Sequence, residues 1–468
     1  MLLSEPAEFV LSFISNIDEE ITKLKPNAKL TKTQKAWLAF CLTGIIVVNA
    51  MNWSKFERAS LGEYQVSSLS WMLRHSKIFW DHLFTASVCL ILRQYGILEG
   101  SIAIDESDIA RSKKTKRTYK THKQKHKASG GYVNGQTVVL IILVTDSITV
   151  PIGFDFYMPD PALTKWSKEE KRLKKLKVIK KERPIKPERN ILYPTKIQIS
   201  LDLLNKFKEN HKDIKINAIL ADALYGESNF MSQASKIFDN TQVISQLREN
   251  QNIEYKGKKR SLKDYFNKIN KGVQQVMRVR GGKKVVVTAS SARLKVTAHG
   301  KKRFVIALKY EGEDNYRFLV ATDMTWRTMD IIQAYSLRWL VEVFFEDWKL
   351  YEGWGQEAKQ LDEEGSSRGL ILSLLLDHCL LLHPEQMACI ENKLPAYTVG
   401  SLQRKSQIDI LLKFVDRLLQ NENPSEKLKE LSEVVKDVFK LMPSSKHMVG
   451  RDLGTLQPTD SLRYRNYG

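Results

Sequence analysis

Ile102-Ala103-Ile104-Asp105-Glu106-Ser107 and Ile216-Asn217-Ala218-Ile219-Leu220-Ala221-Asp222 are the two stretches that decide the fold. Each is a short apolar run that closes on a carboxylate, the pattern of a buried strand delivering an acid at its end. Between them, residues 132–136 lead into an apolar run over 138–144, a turn at Asp146-Ser147 and a second run over 149–157, which predicts a hairpin. A helix is expected over 197–210 and a short strand over 242–247. β-branched or alternating runs at 285–288, 294–297 and 304–308, punctuated by Gly281-Gly282 and Gly300, predict an inserted antiparallel β-subdomain. A strand over 318–322 and one long helix over 328–351, carrying Glu342, complete the region.

Strand, hairpin, helix, strand, helix is the element order of an RNase H-like α/β core. The expected fold is therefore such a core with an inserted antiparallel β-subdomain, flanked by all-α N-terminal and C-terminal regions. The divisions read as 1–98 (helical, at 7–24, 32–49, 66–75 and 78–95, with a basic face suited to DNA), 99–248 (first part of the core), 249–317 (the β-insertion), 318–355 (last strand and helix), 356–442 (helical, with a face that can serve dimerisation) and 443–468 (a weakly ordered tail). Residues 36–53 are apolar enough to test as a membrane span, but they are near the minimum length and interrupted by Thr43, Gly44, Asn49 and Asn52; a buried helix is the better reading.

The chain of 468 residues carries 74 Lys and Arg against 53 Asp and Glu, a formal net charge of +21. An excess of that size points to a polyanion, nucleic acid before an anionic membrane surface. With 43% hydrophobic residues the chain can fill real cores, which excludes wholesale disorder. The cysteines, Cys41, Cys89, Cys379 and Cys389, are too scattered for a zinc site and too few for a disulfide framework. No basic n-region precedes an apolar stretch at the N-terminus, so no cleaved signal peptide is expected.

Asp105, Asp222 and Glu342 are each placed where strand ends and a crossing helix can converge, with Glu106, Asp108, Glu346 and Asp347 as near competitors. Three carboxylates without an accompanying His or Cys suit hard oxygen-ligated ions such as Mg²⁺ or Mn²⁺, in the two-ion arrangement about 3.5–4 Å apart that drives phosphodiester chemistry. On a continuous helix at ~100° per residue, Tyr335, Arg338, Glu342 and Lys349 share one face, opposite Leu337, Leu340, Val341, Phe344 and Trp348. Such a face is suited to gripping phosphates. The loop 111–127, with Lys113, Lys114, Lys116, Arg117 and Lys120, and the Lys/Arg-dense stretch 165–189 read as sequence-independent phosphate contacts whose affinity falls steeply with salt.

Tyr335-x2-Arg338-x3-Glu342-x6-Lys349 resembles the YREK signature of the bacterial insertion-sequence DDE transposases. Ile102–Ser107 looks like their first-acid motif, Gly131-Tyr132-Val133-x-Gly135-Gln136 like the strand that follows it, and Leu220-Ala221-Asp222-Ala223-Leu224-Tyr225-Gly226 like the second-acid motif. Glu106-Ser107 stand where the family often has a second acid and a Thr. The resemblance covers roughly residues 100–355 and implies Asp105, Asp222 and Glu342 as the catalytic, metal-binding triad, with Tyr335, Arg338 and Lys349 holding DNA. It further implies two Mg²⁺ ions, which Mn²⁺ may replace, cleavage and 3′-OH strand transfer at element ends through a hairpin, a homodimer on double-stranded DNA, no membrane, and a bacterial cytoplasmic, nucleoid-associated setting. Two other readings stay open: a descendant that holds DNA without cutting it, and a structure-specific nuclease on the same core.

Overall fold

The computed structural model describes residues 5–111, 115–125, 130–279, 282–356 and 360–439. It opens with α1 (Glu8–Leu24), α2 (Lys32–Val48), α3 (Trp53–Ala59), α4 (Val66–His75) and α5 (Trp80–Gln94). α2 starts at a reciprocal Thr31/Gln34 capping box and stops where Asn49 turns left-handed. α3 was not expected from its polar sequence. The Asn52 side chain caps it by accepting from the Lys55 amide, and Trp53, Phe56 and Ala59 supply an inward face. No single helix among the described residues is long and apolar enough to cross a membrane, and the interior of α2 is buried in the protein core.

The strands are β1 (Glu99–Ala110), β2 (His122–Lys125), β3 (Tyr132–Val144), β4 (Thr149–Tyr157), β5 (Lys215–Ala221), β6 (Gln242–Leu247), β7 (Asn252–Tyr255), β8 (Lys258–Ser261), β9 (Val273–Arg278), β10 (Lys284–Val296), β11 (Lys301–Tyr310) and β12 (Arg317–Ala321). Between them run the surface helix α6 (Pro161–Lys175), α7 (Lys196–Asn210), α8 (Ser228–Ile237) and the short turn α9 (Leu262–Asp264). All twelve strands join one mixed sheet in the order β2-β3-β1-β5-β6-β12-β11-β10-β7-β8, with β4 on β3 and β9 on β10. β3 lies antiparallel to β1 and β4 antiparallel to β3, whereas β1, β5 and β6 are parallel.

Two expectations need correcting. β1 does not end at Asp105: its parallel pairing with β5 stops at Ile104↔Ala221, but its antiparallel pairing with β3 continues to Ala110↔Gly135. The apolar runs at 285–288 and 294–297 are one strand, β10, whose ends take different partners, β9 and β7. The strands from β7 to β11 pair antiparallel among themselves, and through β11 and β12 they hydrogen-bond onto β6 and hence continue the same sheet.

After β12 come α10 (Thr328–Ser336), α11 (Trp339–Leu350), α12 (Glu363–Leu381), α13 (Pro384–Glu391), α14 (Val399–Leu419) and α15 (Pro424–Val438). α12, buried over most of its length, packs on α2, α4, α5, α14 and β4, so helices from both ends of the chain share one core with the sheet. The residues of the expected tail beyond 443 lie outside the described residues.

His378 of α12 ties three elements together. Its Nε2 lies 2.9 Å from the Pro151 carbonyl of β4, and its Nδ1 lies 2.7 Å from Ser87 Oγ of α5. A carbonyl only accepts, so the neutral ring carries its proton on Nε2 and Nδ1 accepts from the serine. Beside it, Asp377 and Glu352 are carboxyls buried against each other. Burial pushes both up, Asp377 to about 8, with Asp347 adding repulsion.

Burial holds the His378 imidazole down at about 4, below the ~6.5 of an unfolded histidine. The unfolded chain therefore binds the extra proton first, and the stability this group contributes is present above about 6.5 and lost as pH falls toward 4. His211, also held near 4 by burial, acts in the same window. The denaturation midpoint of His378→Gln is expected to depend less steeply on pH between 6.5 and 4 than that of the wild type, with a difference of up to roughly 3 kcal/mol across the window. Parallel curves for the two proteins would refute the assignment.

Candidate active site

Because the last parallel pair is Ile104↔Ala221, the next residues on the two strands, Asp105 and Asp222, are neighbours at the carboxyl end of the β1/β5 pair. Asp105 continues in β1, held by Leu140 of β3 across the ladder. Asp222 leaves β5 and caps a 3₁₀ turn, its Oδ1 accepting from the Leu224 amide at 2.8 Å. Ser245 Oγ of β6 donates to the Asp222 carbonyl at 2.6 Å, which pins the turn to the sheet.

The expected long helix is broken at Leu337-Arg338 into α10 and α11. The amides of Leu337, Arg338, Leu340 and Val341 all donate to carbonyls three residues back, so the backbone overwinds locally into 3₁₀-type geometry. Tyr335, Arg338 and Glu342 nevertheless stay together on the side of the acids, although the helix that carries them is broken. Tyr335 is buried, and its hydroxyl donates to the Ala221 carbonyl at 3.3 Å. Arg338 sits at the junction and spans two acids, with Nη1 2.8 Å from Asp105 Oδ2 and Nη2 2.5 Å from Glu342 Oε1. Lys349 lies two turns beyond Glu342 on α11 and is half-buried. Of the competing acids, Glu346 is exposed, and Asp347 is pushed up by burial and by Glu346.

Asp105 feels the crowding. Burial first, then the charges of Glu106 and Asp222, push its carboxyl up to about 6, although the Glu106 amide and Arg338 pull it back. Glu106 has its own support: Lys196 Nζ at the start of α7 donates to Oε1 at 2.6 Å, and the buried Tyr225 hydroxyl donates to Oε2 at 3.3 Å. One residue on, Ser107 Oγ accepts from Trp354 Nε1 at 3.0 Å. Sequence reading missed Lys196 and Trp354 as partners of this strand. Neither has a local signal, since each reaches β1 from an element distant in the chain.

Among the described residues no three His, Cys, Asp or Glu groups are already arranged around an ion. The donor chemistry nevertheless fits one. The acids at the junction offer oxygen alone, and a carboxyl held near 6 among other carboxylates lacks positive charge, which Arg338 supplies in part. Asp105, Asp222 and Glu342 are the residues that would hold a hard divalent cation.

The basic loop is divided. Lys113 and Lys114 lie outside the described residues, and Lys116 and Arg117 are exposed. Lys120 turns inward, donating to the Phe156 carbonyl at 2.7 Å. Most of stretch 165–189 is α6 and an irregular segment on the surface, without a buried side chain.

A family model described as DDE superfamily endonuclease matches residues 28–265. No curated protein matches the chain. Among solved structures, a piggyBac transposase in a synaptic complex with hairpin DNA aligns at 11% identity and a TM-score of 0.41, over 99% of this chain and 88% of that one.

The Arg338 contact sets a direction that can be measured. Arg338→Ala removes the cation that lowers Asp105, so the Asp105 carboxyl is expected to titrate above its value of about 6, with Arg338→Lys in between. ¹³C-aspartate NMR across pH 4–9 reads this directly, and an unmoved or lowered Asp105 transition in Arg338→Ala would contradict it.

Proposed function

The chain belongs to the DDE superfamily of endonucleases, and from that premise we propose that it is a DNA transposase that cleaves strands at the ends of a bacterial insertion sequence and joins the freed 3′-OH to target DNA. The observation that carries the proposal is the Arg338 guanidinium bridging Asp105 and Glu342 beside Asp222, at the carboxyl end of the parallel strand pair. The match to the family stops before Glu342, so the third acid rests on this convergence and on the YREK resemblance. In the same reading β4-β3-β1-β5-β6 is an RNase H-like core, the partner is double-stranded DNA, the assembly on DNA is a homodimer, and the setting is the bacterial cytoplasm.

Mg²⁺ ions held by the three acids, with Mn²⁺ able to replace them, would activate the attacking oxygen and stabilise the leaving one. The chain's own groups do the rest. Asp105 is ionised above about pH 6 and presents its charge at the junction. Tyr335 fixes α10 to the end of β5, and so sets where Arg338 and Glu342 stand. Lys196 and Tyr225 hold Glu106 away from the triad's task. Arg338, once it releases a carboxylate, is placed to donate a fork of N–H groups to a phosphate of the strand being cut. Hydrolysis or transesterification through this site needs no covalent enzyme–DNA bond, and hairpin formation uses the same 3′-OH attack on the opposite strand.

The test uses duplexes copied from the DNA flanking the coding region, with Mg²⁺. The wild type is expected to nick them and join the 3′ ends to a target. Glu342→Gln should make no product while binding the duplex within a few-fold of the wild type. Cutting without joining would favour a structure-specific nuclease, and undiminished cutting by Glu342→Gln would move the third acid to Glu346.

A further inference from the structure

A third basic segment lies between the core strands, beyond the loop at 111–127 and the stretch at 165–189. Residues 249–317 hold 18 Lys and Arg against 6 Asp and Glu, a net +12 of the chain's +21. Most of these side chains are exposed, but Arg303 in β11 is only 4% exposed, and no carboxylate pairs with it among the described residues. Its Nε donates to His299 Nδ1 at 3.3 Å and its Nη2 to Ser232 Oγ of α8 at 3.2 Å. Lys301 Nζ donates to the same Ser232 oxygen at 2.8 Å, and the Lys236 ammonium, also on α8, stands close enough to repel Lys301.

Arginine only donates, so His299 Nδ1 must accept; the ring proton is then on Nε2, which donates to the Gly226 carbonyl at 2.9 Å. The imidazole is thereby kept neutral, in accord with its lowered pKa under burial and the nearby cations. Gly226 ends the turn that Asp222 caps, and it is clamped there: an added Cβ would meet the Gln246 carbonyl at 2.4 Å. The cation cluster is thus tied to the turn that Asp222 caps by two contacts in series, Arg303 to His299 and His299 to Gly226.

A buried guanidinium facing only neutral acceptors, with the Lys301 ammonium on the same serine oxygen and Lys236 acting on Lys301 in turn, is costly unless an anion completes the site. We propose that Arg303, Lys301 and Lys236, with Ser232, bind a backbone phosphate of DNA at a fixed distance from Asp222; the choice of DNA over a free anion rests on the transposase reading. The contact would hold a strand next to the cleavage site without reading its sequence.

The experiment measures duplex affinity of the full chain between 50 and 200 mM salt. Lys301→Ala and Lys236→Ala, both at exposed positions, and Arg303→Lys, which keeps the charge but loses the fork, are compared with the wild type. Each phosphate contact removed should lower the slope of log K against log salt by about 0.9. The Lys301→Ala, Lys236→Ala double variant should therefore show a shallower slope and equal losses on unrelated sequences, with an unchanged melting temperature. Wild-type slopes in all variants, with DNA cutting intact, would overturn the site and leave the transposase reading standing. A melting-temperature shift with inorganic phosphate that the double variant loses, together with an unchanged DNA slope, would make it a small-anion site and overturn the DNA assignment. Absence of DNA binding and cutting by the wild type would remove the premise as well as the site.

Discussion

Repulsion among carboxylates that the sheet forces together is the constraint on which this structure turns. The register that pairs Ile104 with Ala221 leaves no choice about where Asp105 and Asp222 go, and Glu106 follows immediately on β1. Burial makes the Asp105 charge harder to keep. Two cations from remote parts of the chain relieve the crowding: Arg338 between Asp105 and Glu342, and Lys196 on Glu106. Each is delivered by a local device, the overwound turn between α10 and α11 in the first case and the Thr195-capped start of α7 in the second. Removing a cation from a partly buried carboxylate is more damaging than never having had the pair, because the remaining charge has no other solvent.

Most elements around this centre were legible in the sequence, and the misses share a cause. Apolar periodicity located β3, β4, β5, β6, β12 and the main helices because each buries a face against the core and the pattern is local. It mislaid the end of β1 because strand length is set by the partner: β3 keeps pairing after β5 has stopped. It split β10 for the same reason, since its halves answer to different neighbours. The break at Leu337-Arg338 carries no glycine or proline to announce it; Tyr335 turned inward to Ala221 is a tertiary event. The three acids could be named from position and resemblance, but the role of Arg338 as their counter-ion could not, because a helical wheel records direction around an axis and says nothing of what stands opposite.

Charge is distributed more sharply than the total suggests. Residues 111–127, 165–189 and 249–317 carry +9, +8 and +12 from their Lys, Arg, Asp and Glu, so the remainder of the chain is net −8. The acidic centre lies in that remainder, while α6 and most basic side chains of 249–279 and 282–317 are exposed. Electrostatic attraction of a polyanion over such a surface acts at a range of about 8–10 Å at ordinary salt, while the carboxylates act only at contact.

The single continuous sheet has one more consequence. Its path ends in β2 at one side and β8 at the other, and open strand edges are templates for pairing with another chain. β2 carries Lys123 and Lys125, and β8 carries Lys258, Lys259 and Arg260. Two copies meeting through β2 or β8 would set these like charges against each other, so the same basic side chains that face outward also oppose extension of the sheet at these two strands. At these two ends that protection is electrostatic and belongs to the protein without its polyanion: once the charges are neutralised, only the shortness of β2 and β8 guards them.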